Sequence, residues 1–206
     1  MNKTTTGLLT AVLLVTAGCH SATLTNKENN AGPDHPSGAA SPSSSPAPAE
    51  SASSASVKSS YTDLNDKGCG AARTTSEISS ERKCPGIEGY KLMILTDDDR
   101  DSINIITPDG RQHPLNFSEK ISKGAFAALG KKVEWRVATR DGKDVPIALI
   151  VRVEVQSGDT NKTTSYLAVA KITERSICVT DRIDPVANAN EKARQAADSS
   201  ANKPCL

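Results

Sequence analysis

Aromatic residues are scarce in this chain: one Trp, three Tyr and two Phe among 206 residues. Six rings with no basic run interleaved give no base-stacking platform for single-stranded nucleic acid. Neither sign of charge is in surplus, with Lys plus Arg 25 against Asp plus Glu 24. Phosphate-backbone binders carry a basic excess, so no nucleic-acid partner is expected. No apolar run approaches the ~20 residues a membrane-spanning helix needs. Histidine is nearly missing as well, and His113 is the only one beyond residue 60. The five cysteines include no CxxC pair, whereas zinc sites want clustered ligands. No metal and no other cofactor is therefore expected. There is no GxSxG elbow, and a Ser or Cys nucleophile would have only His113 as its imidazole base. Hydrophobic content of 36% is low for a fully folded chain of this length.

What is present begins with an address. Lys3 gives a positive start, residues 8–15 (LLTAVLLV) give an apolar core, and the small residues Thr16, Ala17 and Gly18 lead into Cys19. Thr16-Ala17-Gly18-Cys19 resembles the lipobox of bacterial lipoproteins, with Thr16 where an aliphatic residue is usual. That resemblance implies cleavage before Cys19 and attachment of a diacylglyceryl group to its thiol. Each buried CH₂ contributes about 0.8 kcal/mol, and two or three acyl chains hold a protein durably where one does not. His20 follows instead of the Asp that retains lipoproteins at the inner membrane. The resemblance thus implies the outer membrane in a double-membraned host, and otherwise the outer face of the cell membrane.

Residues 1–18 then form the signal, 19–60 a tether, and 61–206 the folded domain. Residues 37–60 contain eleven serines and three prolines with no aromatic. Such a segment cannot bury enough surface to offset its ordering entropy and is expected to be disordered. About forty residues of this composition have a root-mean-square reach of roughly 35 Å. Removing the signal takes away Lys3 from the 25 positive residues, leaving 24 against 24. Net charge gives no steering toward a polyanion.

In the domain, short β-rich runs alternate with turn signals. Strands are expected at residues 90–96 (YKLMILT), 102–107 (SINIIT), 111–115, 133–137 (VEWRV), 146–155 (PIALIVRVEV), 166–172 (YLAVAKI) and 177–180. Pro108-Asp109-Gly110 and Asp141-Gly142 supply turns, because Pro presets φ and Gly accepts φ > 0. Residues 190–199 read as a helix with Asn188 or Asn190 as N-cap, and residues 118–129 as a second, interrupted by Gly124. The fold class is α+β, mostly β: an antiparallel sheet of short hairpins with one or two helices, the C-terminal one packed across the sheet.

With Cys19 committed to lipid, Cys69, Cys84, Cys178 and Cys205 remain, an even number in an exported chain. Three pairings are possible. Cys69–Cys84 and Cys178–Cys205 are preferred because each closes a local unit, contributing roughly 3 to 4 kcal/mol in the chain-entropy model.

Other patterns fail on inspection. Residues 97–108 open like a calcium loop, but Ser102 stands where Gly is required and Pro108 where Glu is. Residues 124–132 (GAFAALGKK) approach a phosphate loop with the wrong glycine spacing, and read better as a helix with a Gly stop. Asn116 and Asn161 begin glycosylation sequons that a bacterial lipoprotein would leave idle. Arg136 and Arg152, outward on adjacent predicted strands, are the candidate partner-binding surface. Trp135 beside them is either its anchor or a core residue.

The segments CPGIEGYK (84–91), LGKKVEWR (129–136), PIALIVRV (146–153), YLAVAKI (166–172) and ANEKARQAAD (189–198) resemble a family of small exported bacterial proteins of unknown function. The expected role is a lipid-anchored, non-catalytic envelope protein whose domain binds an envelope protein or glycan. One alternative is an inhibitor of a secreted lysozyme or protease, acting through the turns at 97–100 or 157–162. The other is an envelope hydrolase, which would need a cleft where His113 meets Asp or Glu.

Overall fold

The computed structural model describes residues 56–65, 67–158 and 162–206. Among the described residues ten strands form one sheet: β1 (Val57–Asp63), β2 (Arg73–Thr74), β3 (Ser79–Pro85), β4 (Lys91–Asp97), β5 (Arg100–Ile106), β6 (Gln112–Pro114), β7 (Ala127–Arg140), β8 (Lys143–Gln156), β9 (Thr163–Ile172) and β10 (Ile177–Ile183). The order runs β10-β9-β8-β7-β5-β4-β3-β2, with β1 added to β7 and β6 to β5. All pairings are antiparallel except a single parallel one, Arg100 opposite Ala127, between β5 and β7. Hairpins made by short turns dictate the antiparallel pattern. Asp98 and Asp99 (φ 46° and 55°), and Asp141 and Gly142 (φ 50° and 71°), adopt the left-handed pairs that match strand twist.

The sheet curls so that β10 comes up against β6 and residues 118–122. Inside the curl, period-two alternation puts Val133, Trp135 and Val137 of β7 beside Leu149, Val151 and Val153 of β8. Leu92 and Ile94 of β4, Ile103 and Ile105 of β5, and Phe117 close this core. With six aromatics in the whole chain, this core is mostly aliphatic. The opposite face of β8 and β9 offers Ala148, Ile150, Leu167 and Val169, which pack under Ala193 and Ala197 of α1 (Ala189–Asp198). A bulge between Val179 and Asp181 switches the parity of β10. Val179 accordingly joins the main core, whereas Ile183 packs with the helix cluster.

Both disulfides have the preferred pairing, Cys69–Cys84 and Cys178–Cys205. The second fastens the tail to β10, where the Leu206 amide also donates to the Val179 carbonyl (2.9 Å). Lys203 meets Asp181 at 2.7 Å, and the Lys203 carbonyl accepts from Lys171 at 2.7 Å.

Three expectations are corrected. The folded region starts before residue 61: Val57 to Ser60 already pair with β7. Ser118–Ser122 is a five-residue π-helical turn, not the start of a helix to 129. Lys123 (φ 54°) and Gly124 (φ 85°) end it, and Ala127 to Leu129 pair with β8. Gly130 belongs to the irregularity in β7 rather than to a helix stop. A Cβ there would sit 2.9 Å from that of Arg152, so only Gly permits this approach. Strand β3 (SSERKCP) was missed because its alternation is between polar residues. The N-cap of α1 is Asn188, but it makes no side-chain cap bond.

A polar layer holds α1 over β1 and β7. The Arg136 guanidinium donates to both Asp198 oxygens at 2.7 Å and to the Ser59 hydroxyl. Arg194 donates to both Glu134 oxygens at 2.6 and 3.2 Å, and Ser59 donates to Glu134 at 2.5 Å. Burial works against the Glu134 charge, but the bonds from Arg194 and Ser59 outweigh it and hold this carboxyl below its ordinary 4.5. A depressed folded pKa gives stability that is present above 4.5 and lost as pH falls through the lower folded value. Urea midpoints measured downward from pH 6 should therefore fall in that acid window, and Glu134→Gln should flatten that part of the curve.

Candidate functional site

A cleft of about 340 Å³ opens at one end of the curled sheet. Tyr90 enters it just before β4, and the β5–β6 turn contributes Thr107, Pro108, Asp109 and Arg111, with His113 following. Arg140 comes from the end of β7, Val145 to Ile147 from the start of β8, and Ile172, Thr173, Glu174 and Ile177 from the β9–β10 turn. Turn chemistry explains the first group. The Gly110 amide (φ 87°) donates to the Thr107 carbonyl at 2.8 Å, and Pro108 fixes the preceding bend. A bulge explains the β8 wall. Arg136 pairs with Ala148 but Val137 with Pro146, so Ile147 is the extra residue and is turned toward the cleft. The same bulge lets a proline, which lacks an amide proton, sit within an inner strand.

The groups in the cleft differ in what remains open to a ligand. Asp109 is held down to about 2, first by the Thr107 hydroxyl and then by Arg111, whose Nε donates at 2.6 Å. It is an ionised, partnered carboxylate at any physiological pH, unsuited to proton transfer. Tyr90 is pushed above 10.0 by burial and then by the Asp109 charge, so it stays a neutral phenol. Its ring lies 6.1 Å from that of Trp135. The turn before it needs Gly86, where a Cβ would meet the Tyr90 carbonyl at 2.6 Å and the Trp135 ring at 2.9 Å. His113 Nε2 is buried with no partner among the described residues. His113 shares the cleft with Asp109 and Glu174, yet hydrogen-bonds to neither among the described residues. Arg140 and Glu174 are exposed at the rim, and neither side chain has a hydrogen bond or ion pair among the described residues.

The residues singled out in the sequence lie elsewhere. Trp135 is fully buried in the core, its indole N–H donating to Thr62 Oγ1 at 3.0 Å. Arg136 is 7% exposed beneath α1. Arg152 is on the same sheet face as Arg136, as expected, and bonds Ser165 (2.6 Å) and Asn190 of α1 (3.1 Å). The expected open partner-binding surface is thus corrected for Trp135 and Arg136: the first points into the curl, and the helix covers the second. Cys19 lies outside the described residues, as does the middle of the 157–162 turn. Among the described residues no group of His, Cys, Asp and Glu could hold a metal ion, and no helix is long and apolar enough to cross a membrane.

Sequence reasoning missed Tyr90, Thr107, Arg140 and Glu174 as cleft residues. Their only local signal is adjacency to turns, and nothing in the order of residues shows that four different turns meet. No family model matches the chain, and the search of curated proteins and of solved structures found none that matches it.

Proposed function

We propose that the chain is exported, acylated at Cys19 and held by lipid at an envelope membrane, where its domain acts as a non-catalytic binding module through the cleft. The Thr16–Cys19 motif behind an apolar core supports the anchor. The two disulfides support an oxidising compartment. One observation carries the binding reading. The cleft collects open polar groups on an apolar wall, while its best-placed carboxylate is already occupied by Thr107 and Arg111. A ligand site needs convergent polar groups on apolar walls. A hydrolytic site further needs a hydrogen-bonded base and nucleophile.

Two measurements test this. Cys19→Ala should move the protein from the membrane pellet to the soluble fraction, and unchanged retention would refute acylation. For the cleft, the dialysable pool from an envelope extract should raise the melting temperature of the wild-type chain but not that of Arg140→Gln. Release of product from envelope glycan or peptide by the purified chain would overturn the non-catalytic reading.

The inhibitor reading has one specific observation in its favour. Arg100 bonds the Asp98 carboxylate and the Gly124 carbonyl (2.8 Å) while its guanidinium stacks on the exposed Phe126 ring, which fixes the 97–100 turn. Inhibition of a lysozyme or protease that is lost in Arg100→Ala would favour it.

A further inference from the structure

Arg140 and Glu174 share one cleft, carry opposite charges and yet do not pair with each other or with any described residue. Every other charge there is engaged: Arg111 and Asp109 neutralise one another at 2.6 Å. The two free charges come from different hairpins, the β7–β8 end and the β9–β10 turn. The same cleft has an apolar lining from Pro146, Ile147, Ile172 and Ile177. Thr107 and Thr173 add small polar groups.

We infer that the cleft takes a short peptide with both termini free and an apolar side chain. The inference rests on the binding-module reading and gives that site its ligand class. The peptide carboxylate meets the Arg140 guanidinium, a planar fork matched to two oxygens. The α-ammonium meets Glu174, and the apolar side chain lies on the Pro146 and Ile177 wall. A volume of about 340 Å³ stands at the low end of ordinary ligand pockets and suits a molecule of two or three residues. A ligand with one charge would leave the other rim charge unanswered. Among the described residues lining the cleft, Arg140 is the one Lys or Arg without a partner, which gives a large polyanion little hold. Specificity follows from asking for both termini at once, since an interior stretch of a longer chain offers neither.

The test uses the full chain in detergent, with the dipeptide Ala-Leu, its N-acetyl form and its C-terminal amide as probes, followed by calorimetry. Ala-Leu should bind saturably with a dissociation constant of about 1 mM or tighter. Each capped form should bind at least about tenfold more weakly, as expected when a charge-assisted hydrogen bond is lost. The variants must match the caps: Arg140→Gln abolishes the preference for Ala-Leu over its amide, and Glu174→Gln abolishes the preference over the N-acetyl form. Both positions are on the surface, and the near-ultraviolet signal of Trp135 verifies folding. Equal binding of capped and uncapped probes, or no heat from Ala-Leu with both disulfides intact, overturns the inference. If Ala-Leu is refused while the envelope pool still stabilises the wild type in an Arg140-dependent way, the ligand class falls and the binding module stands.

Discussion

Replacing Arg136 by alanine should destabilise the domain by about 3 kcal/mol, the lower end of what breaking a buried ion pair costs. Asp198 is bound twice by this guanidinium and would lose both bonds, although its side chain is 35% exposed and water can partly replace them. Ser59 and Glu134, the latter only 12% exposed, would lose a donor and a neighbouring charge. The alkyl stem of Arg136 also fills space between β7 and the helix, so part of the loss is packing. The damage should be local in origin. Amide exchange at Ala193 and Ala197, whose side chains are buried against β8 and β9, should speed up before that of Val133 or Val151 in the main core. Arg136→Met, which keeps the stem, should recover part of the loss. If Arg136→Ala leaves the urea midpoint unchanged, the polar layer does not hold the helix.

Trp135→Ala should cost more, about 3 to 5 kcal/mol, because a fully buried indole leaves a cavity its neighbours cannot fill. Its neighbours come from several elements, with Tyr90 at 6.1 Å and Gly86 shaped to its edge. Collapse would have to move a turn as well as strands. Trp135→Phe keeps most of the volume and removes the bond to Thr62, so about 1 to 2 kcal/mol is expected. Because Tyr90 lines the cleft, this substitution should also weaken ligand stabilisation, whereas Arg136→Met should not. Urea unfolding followed by far-ultraviolet circular dichroism measures both. A Trp135→Ala chain as stable as wild type would mean that the core is not built around this ring.

Much of the fold was legible because strand periodicity and turn chemistry are local. The alternation of VEWRV placed Val133, Trp135 and Val137 on one face and Glu134 and Arg136 on the other, as observed. Turns at Pro108-Asp109-Gly110 and Asp141-Gly142 were readable because only certain residues accept those angles. Three strands escaped: β1 begins in a Ser-rich run, and β2 and β3 lie in polar ones, and all three owe their structure to neighbours. Residues 118–129 were misread because helix-forming composition there is overridden by Lys123 and Gly124, and by the strand partners of Ala127.

The residue order by itself determined a mostly β domain, the inward face of each alternating strand, the aliphatic core and the two preferred cysteine pairs. Each follows from side-chain period or from what a short loop can close. Which outward face becomes buried was left to the tertiary structure. Arg136 reads as solvent-facing on its strand, and it is α1, more than fifty residues later, that covers it. The cleft was decided in the same way. Tyr90, Asp109, Arg140 and Glu174 come together only because the sheet curls, and curl depends on bulges and strand order that no single segment encodes.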